Sequence, residues 1–250
     1  MLDERMIAAA LAPLQVRVLD ACESTNARLL AADDDRPALL IADTQTHGRG
    51  TRGRRWHGAP GAGLLMSLRT PVDRPMRELA GLSLAAGVAV QRALCSLGLS
   101  RAALKWPNDI LVDGAKLGGI LVETRARSGP ACAVIGCGIN WHAAPRGLPL
   151  RMAAACVADS LAPVPSRSAG AVAIARELLA AVARFERFGL DAFRTDWEAA
   201  HALSGRRVRV RIPGGRVLTG TAEGLEPDGS LRLRNRRGAH AVVSGTVSAA

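Results

Sequence analysis

Four short segments of this chain gather the residue types that chemistry needs close together. Gly48-Arg49-Gly50-Thr51-Arg52-Gly53, continued by Arg54, Arg55 and Trp56, sets four guanidinium groups on a glycine-rich loop. Exposed backbone N–H groups beside guanidinium forks suit a polyanion such as a triphosphate. The spacing also matches the dinucleotide fingerprint, but that fingerprint must open a helix, and the continuation through His57, Gly58, Pro60 and Gly61 is a poor one. Lys105-Trp106-Pro107-Asn108-Asp109 packs a cation, an aromatic ring, an amide and a carboxylate into a strand-to-turn segment; alone it also reads as a β-turn whose Asn and Asp satisfy backbone groups. Lys116-Leu117-Gly118-Gly119-Ile120-Leu121-Val122-Glu123 places a lysine ahead of a Gly-Gly pair that permits close backbone approach, or else a surface lysine at a turn. Gly136-Cys137-Gly138-Ile139-Asn140 ends a strand with two glycines and an amide, as a bulge or a ligand-facing turn would.

The two lysines are conspicuous because they are the only ones. Of 33 basic residues in 250, 31 are arginine. The net charge of +11 is unevenly placed: residues 204–250 hold nine Arg against Glu223, Glu226 and Asp228, and 47–58 hold four Arg with no acid, which leaves the rest near neutral. The five cysteines form no CxxC pair and sit mostly in apolar surroundings, as buried thiols of a reducing compartment do. The longest apolar stretch, Leu79 to Leu99, is broken by Gln91 and Arg92 and reads as an amphipathic helix rather than a membrane span. Acidic residues follow Met1 where a signal peptide would be basic, which points to the cytoplasm.

The elements that must position these segments follow from periodicity. Ser24 or Thr25 caps a short helix over 26–32, 38–43 is a buried strand, and 64–69 another. Asp73 and Pro75 open a long helix with apolar residues at 79, 82, 86, 90, 94 and 97, closed by Gly98. Short apolar runs at 102–105, 110–112, 119–122 and 131–135 predict a meander of strands, and 167–188 and 191–203 predict two more helices. After Ser204 the period becomes two: Val208, Val210 and Ile212 alternate with arginines, with Pro-Gly-Gly and Pro-Asp-Gly turns beyond. We expect a mixed α/β unit over 1–203 and a small all-β unit over 204–250.

Taken together and in order, the segments resemble the biotin protein ligases. That family carries Ser-Thr-Asn, a Gly-Arg-Gly-x-x-Gly-Arg-x-Trp loop, Lys-Trp-Pro-Asn-Asp, Lys-x-x-Gly-Ile-Leu-Val-Glu and Gly-x-Gly-Ile-Asn; here these are Ser24-Thr25-Asn26, Gly48 to Trp56, Lys105 to Asp109, Lys116 to Glu123 and Gly136 to Asn140. A Trp-Glu pair at 197–198 and the terminal β unit extend the likeness over about 24–250. The resemblance implies an α+β fold: a mixed β-sheet catalytic domain with flanking helices, like class II aminoacyl-tRNA synthetases and lipoate ligases, plus a C-terminal SH3-like β-barrel. It implies ATP-dependent activation of biotin as biotinyl-5′-AMP, Mg²⁺ accompanying the ATP, and transfer to a lysine of a biotin carboxyl carrier protein, such as the biotinyl domain of acetyl-CoA carboxylase.

By the same resemblance Lys116, Arg52 and Arg54 are catalytic. Ser24, Thr25, Asn26, Gln45, Arg49, Gly50, Thr51 and Lys116 bind biotin. Gly48, Arg49, Arg52, Arg54, Trp56, Lys105, Asn108 and Asn140 bind ATP, with Asn140 near the Mg²⁺. The 47–58 loop is expected to close over the adenylate and to order with ligand. Thr51 departs from the pattern, since the best-known bacterial members have Arg there; Arg52 or Arg54 would then replace that contact. About twenty residues precede Ser24, too few for the helix-turn-helix domain of repressor relatives, so no DNA and no membrane partner is expected, while a homodimer stays open. Two alternatives remain: lipoate or octanoyl transfer on the related fold, and nucleic-acid binding by the arginine-rich end. The second lacks aromatic stacking platforms, since 204–250 contain no aromatic residue; an acidic carrier protein suits that face better.

Overall fold

The structure, a computed structural model, describes all residues except Met1, Asp35, Ala59, 127–128 and 146–151. Seven strands form the main sheet: β1 (Gln15–Cys22), β2 (Ala38–Gln45), β3 (Gly63–Val72), β4 (Ala102–Lys105), β5 (Asp109–Val112), β6 (Ala115–Arg125) and β7 (Ala131–Asn140). Their order is β1-β2-β3-β7-β6-β5-β4, with β1 parallel to β2 and every other pair antiparallel. Alternation along the central strands buries both faces. Leu39 and Ile41 face one hydrophobic cluster, while Ala38 and Leu40 face a second, smaller one.

The larger cluster is covered by α3 (Leu82–Ser96) and α4 (Arg167–Phe188), flanked by α1 (Glu4–Leu11) and α5 (Asp191–Ala200). The 76–96 segment is long and apolar enough to cross a membrane, with mean hydropathy 1.4, but two thirds of it is buried against the sheet and α4. Gln91 donates to the Ala102 carbonyl at 3.1 Å and Arg92 pairs with Asp196 at 2.7 Å, so the polar residues in that run fasten it to its neighbours. The expected long helix begins as a tight turn over Met76–Gly81 and becomes α-helical at Leu82; Gly98, at φ +101°, ends it in the left-handed region that glycine adopts freely.

On the opposite face the helix among the described residues is α2 (Thr25–Ala31), capped by Ser24, whose hydroxyl accepts from the Ala27 N–H. Two elements ahead of it, α1 and β1, were not anticipated from the sequence. The terminal strands β8 (Arg207–Arg211), β9 (Val217–Leu225), β10 (Leu231–Asn235), β11 (Gly238–Val242) and β12 (Thr246–Ala249) form an antiparallel sheet in the order β11-β10-β9-β8-β12. It is consistent with the expected SH3-like unit, without a ladder joining its edge strands β11 and β12. It is fastened to the rest by Trp106, whose indole N–H donates to the Gly229 carbonyl at 3.0 Å, and by Glu198, which accepts from the Leu225 N–H at 2.9 Å.

A cavity over the glycine strand

The α2 face of the sheet is only partly covered because β7 carries glycine there. Its even-numbered residues point to this face, and Gly136 and Gly138 leave its middle bare. A Cβ on Gly136 would overlap the Asn26 amide, and one on Gly138 would come within 2.7 Å of the Trp56 ring. Opposite Gly138 on β6 lies Gly119, whose Cβ would stand 3.6 Å from the same ring. The result is a cavity of about 1010 Å³, bounded by α2, the 48–57 loop, the β5–β6 hairpin and the edge of the terminal sheet.

Its floor is neutral and hydrogen bonded. The Gln45 amide oxygen accepts from the Thr25 N–H at 2.7 Å and from the Thr25 hydroxyl at 3.1 Å. Ser67 Oγ lies 2.6 Å from both Thr25 Oγ1 and Asn26 Oδ1. The Asn26 amide donates to the Leu121 carbonyl and to Glu123, and Glu123 in turn pairs with Arg49 at 2.8 Å. A chain of contacts therefore runs from the buried floor to the loop. Ser67 belongs to it although no sequence signal marks it: one serine in an apolar strand is visible, but its partners come from α2.

Both lysines converge on one carboxylate. Lys105 Nζ lies 2.9 Å from Asp109 Oδ2, and Lys116 Nζ lies 2.5 Å from Asp109 Oδ1. Burial alone would push the Asp109 carboxyl up, but Lys116 and Lys105 attract it and hydrogen bond to it, and the net direction is down. Strand register explains the meeting. Asp109 faces Gly119, Ile110 faces Gly118, but Leu111 faces Lys116, so Leu117 is an extra residue in β6. Opposed residues share a face, so this bulge turns Lys116 to the cavity side; a regular ladder would have put Leu117 there. Lys116 Nζ also stands 5.8 Å from the centre of the Trp56 ring, within cation–π range.

Ser24, Thr25, Asn26, Gln45, Arg49, Gly50, Thr51, Arg54, Trp56, Lys105, Asn108, Lys116 and Asn140 all line this cavity. Two expected members do not. Gly48 stands behind the loop, its carbonyl accepting from the Trp56 N–H at 2.8 Å, with no room for a Cβ beside the Trp56 carbonyl. Arg52 is turned to the terminal sheet, where it contacts Ser244, Gly245 and Thr246; the structure does not bring it to the cavity lining beside Arg49 and Arg54. Arg54 hydrogen bonds to Thr51 Oγ1 at 3.0 Å, which bears on the departure at that position: Thr51 steadies a neighbouring arginine. Asn108 and Asn140 use their amide N–H groups on the carbonyls of Ile120 and Ala155, at 2.8 and 2.9 Å, and so brace the cavity wall. Of the two tryptophans considered for stacking, Trp56 lines the cavity half-buried, while Trp106 is buried with its N–H engaged.

The terminal sheet contributes Arg209, Arg211, Val217, Thr219 and the 245–248 segment to the cavity rim. The alternation along β8 showed that its arginines share a face, but only the packing of one sheet on the other turns that face toward the cavity. Cys137 borders the cavity between the two glycines, but its side chain packs into the larger core cluster, where burial pushes its thiol up to about 12. Among the described residues no three His, Cys, Asp or Glu side chains gather as a metal site.

Residues 19–140 match the biotin/lipoate A/B protein ligase family and 203–249 match the biotin protein ligase C terminal domain. The chain is 35% identical over 241 residues to a biotin–[acetyl-CoA-carboxylase] ligase of Mycobacterium tuberculosis, covering 93% of this chain and 88% of that one. It superimposes with a TM-score of 0.79 on a biotin protein ligase from Aquifex aeolicus in complex with biotin and ATP, at 25% identity and with 94% and 97% of the chains covered. A biotin protein ligase from Leishmania major in complex with biotinyl-5-AMP gives 0.65 at 26% identity, with coverage of 96% and 99%.

Proposed function

The chain belongs to the biotin protein ligase family, and on that premise we propose that it activates biotin with ATP and transfers the biotinyl group to a lysine of a biotin carboxyl carrier domain. The observation that carries the reading is the joining, in one cavity, of an uncharged hydrogen-bonding floor, a shared Lys105–Asp109–Lys116 cluster and a rim of arginines. Biotin is neutral at its ureido end and anionic at its carboxylate, and this cavity is graded the same way. Ser24, Thr25, Asn26 and Gln45 serve the ureido ring, and Lys116 meets the carboxylate.

In the first step a carboxylate oxygen of biotin attacks the α-phosphorus of ATP, and the bond to the β-phosphate oxygen breaks to release pyrophosphate. Two anions must approach each other, so cations have to be in place beforehand. Lys116 supplies a compact ammonium able to touch oxygens of both reactants, which a planar guanidinium does less well. Arg49 and Arg54 hold phosphate oxygens, and Lys105 sets the position of Asp109 and hence of Lys116. In the second step the amine of the carrier lysine attacks the biotinyl carbonyl carbon, AMP leaves with the bridging oxygen, and the amine proton passes to solvent. Trp56 and the 47–58 loop exclude water from the mixed anhydride meanwhile.

A Mg²⁺ site built from protein side chains does not fit: Asp109 is the acid among the described lining residues, and both of its oxygens are taken by lysines. Mg²⁺ would come with ATP, where it would offset phosphate charge. We read residues 1–203 as the biotin- and ATP-binding unit and 204–250 as the unit that completes its rim, acting in the cytoplasm where ATP and carrier protein meet. The test is incubation with biotin, ATP, Mg²⁺ and a carrier domain, with lipoate in a parallel reaction. Biotin-dependent pyrophosphate release with lipoate inert is the expected result; release driven by lipoate alone overturns the substrate.

A further inference from the structure

The 48–56 loop is folded on itself: the Gly50 N–H donates to the Arg54 carbonyl at 2.7 Å, the Trp56 N–H donates to Gly48, and Arg49 and Arg55 form an isolated antiparallel bridge. Its ties to the rest of the molecule run in two directions. Arg49 holds Glu123 of β6, in the main sheet. Arg52, nearly two hundred residues distant in sequence, donates to Thr246 Oγ1 at 3.0 Å, Ser244 Oγ at 3.1 Å and the Gly245 carbonyl at 2.6 Å, at the start of β12. Arg52 reaches them from φ +60°, the left-handed region that a non-glycine residue occupies at a cost. Gly245 and Thr246 themselves line the cavity.

We propose that Arg52 is a latch that fixes the loop to the terminal sheet, so that loop and sheet close over the cavity as one lid. Arg52 is then a positioning residue that touches neither phosphate nor biotin. It retains the adenylate by holding Arg49, Arg54 and Trp56 in place. The proposal rests on the adenylating activity inferred above, and its test therefore has a ligand-free readout.

Three charge-assisted hydrogen bonds from one guanidinium tie the loop down, so breaking them should speed opening by about tenfold or more. In the ligand-free protein, Arg52→Ala should raise amide hydrogen exchange at 49–55 by that factor, and the pair Ser244→Ala with Thr246→Val by a smaller one because the bond to the Gly245 carbonyl remains, with the thermal midpoint of the whole protein unchanged in both. Combining them should add nothing beyond Arg52→Ala alone, because that change already removes both bonds the pair removes. In turnover, the same variants should release several-fold more free biotinyl-adenylate per carrier molecule modified, and Arg52→Lys should recover part of the loss. Unchanged exchange in the Ser244/Thr246 variant overturns the latch. So does a rise in KM for ATP on Arg52→Ala that the Ser244/Thr246 variant does not share, since Arg52 would then be a phosphate contact. Normal latch behaviour in a protein that makes no adenylate would instead overturn the activity and leave the latch standing.

Discussion

Lys116 carries the heaviest role of any single residue because an ammonium can bridge two anions while Asp109 keeps it in place. Lys116→Arg keeps the charge but not the compact geometry, and adenylate formation should fall by about a hundredfold or more with the thermal midpoint nearly unchanged. Full activity in pyrophosphate release would remove Lys116 from the first step. Asp109→Asn should cost stability as well as activity, about 3 kcal/mol in denaturant unfolding, because Lys105 is buried and would lose its carboxylate. Asp109 is held below the usual carboxylate range, so its contribution is present at neutral pH and lost in acid as it protonates. The three residues stand at 105, 109 and 116, and their chemistry was readable from the segments that hold them. Their convergence was not, because it depends on the extra residue Leu117 in the β5–β6 ladder, which spacing alone does not reveal.

At the scale of elements, the bare middle of β7 is what makes the cavity. Gly138→Ala would drive a methyl group into the Trp56 ring, and the ring belongs to a loop that can shift. The expected outcome is a rise of about tenfold in KM for biotin with little loss of stability; an unchanged KM would show that Trp56 does not shape the site. The join between α5 and the terminal sheet makes a different prediction. His201 is buried against Trp197, ring centres 4.5 Å apart, and among the described residues neither ring nitrogen has a hydrogen-bond partner. Burial pushes its pKa down to about 4. The unfolded chain takes up a proton near pH 6.5 and the folded chain only near 4, so stability is full above that window and declines as pH falls through it, by about 3 kcal/mol in all. His201→Leu should flatten the thermal midpoint between pH 6.5 and 4.5, and an unaltered slope would clear His201 of the effect. From α2 to β8, helices and strands were legible in period and capping, as was β10; α1, β1 and the individual strands β9, β11 and β12 were not. Strand β1 is a half-exposed edge strand whose parallel partner lies beyond a helix, so local pattern carries little of its signal.

For the whole molecule, the charge of +11 resolves into a loop at the cavity and the terminal unit, whose Arg209 and Arg211 stand at the cavity rim. Arg207, Arg209 and Arg211 have no ion pair among the described residues, unlike Arg232 and Arg234, which hold Glu226 and Glu223. A carrier domain that brings acidic side chains with its lysine would meet that face. Raising ionic strength should then raise KM for the carrier several-fold while leaving adenylate formation nearly constant, since exposed charges are screened within about 10 Å; equal sensitivity of both steps would contradict carrier docking there. The division into two sheets was visible in the change of hydrophobic period after Ser204. Their mutual packing was not, because it depends on contacts such as Trp106 to Gly229 that no local pattern encodes. The most direct test of the account is the mass of a biotin carrier domain after incubation with this protein, biotin and Mg-ATP. The expected result is a gain of one biotinyl group on a single lysine, abolished by Lys116→Arg. A carrier of unaltered mass, with no biotin-dependent pyrophosphate released, would contradict it.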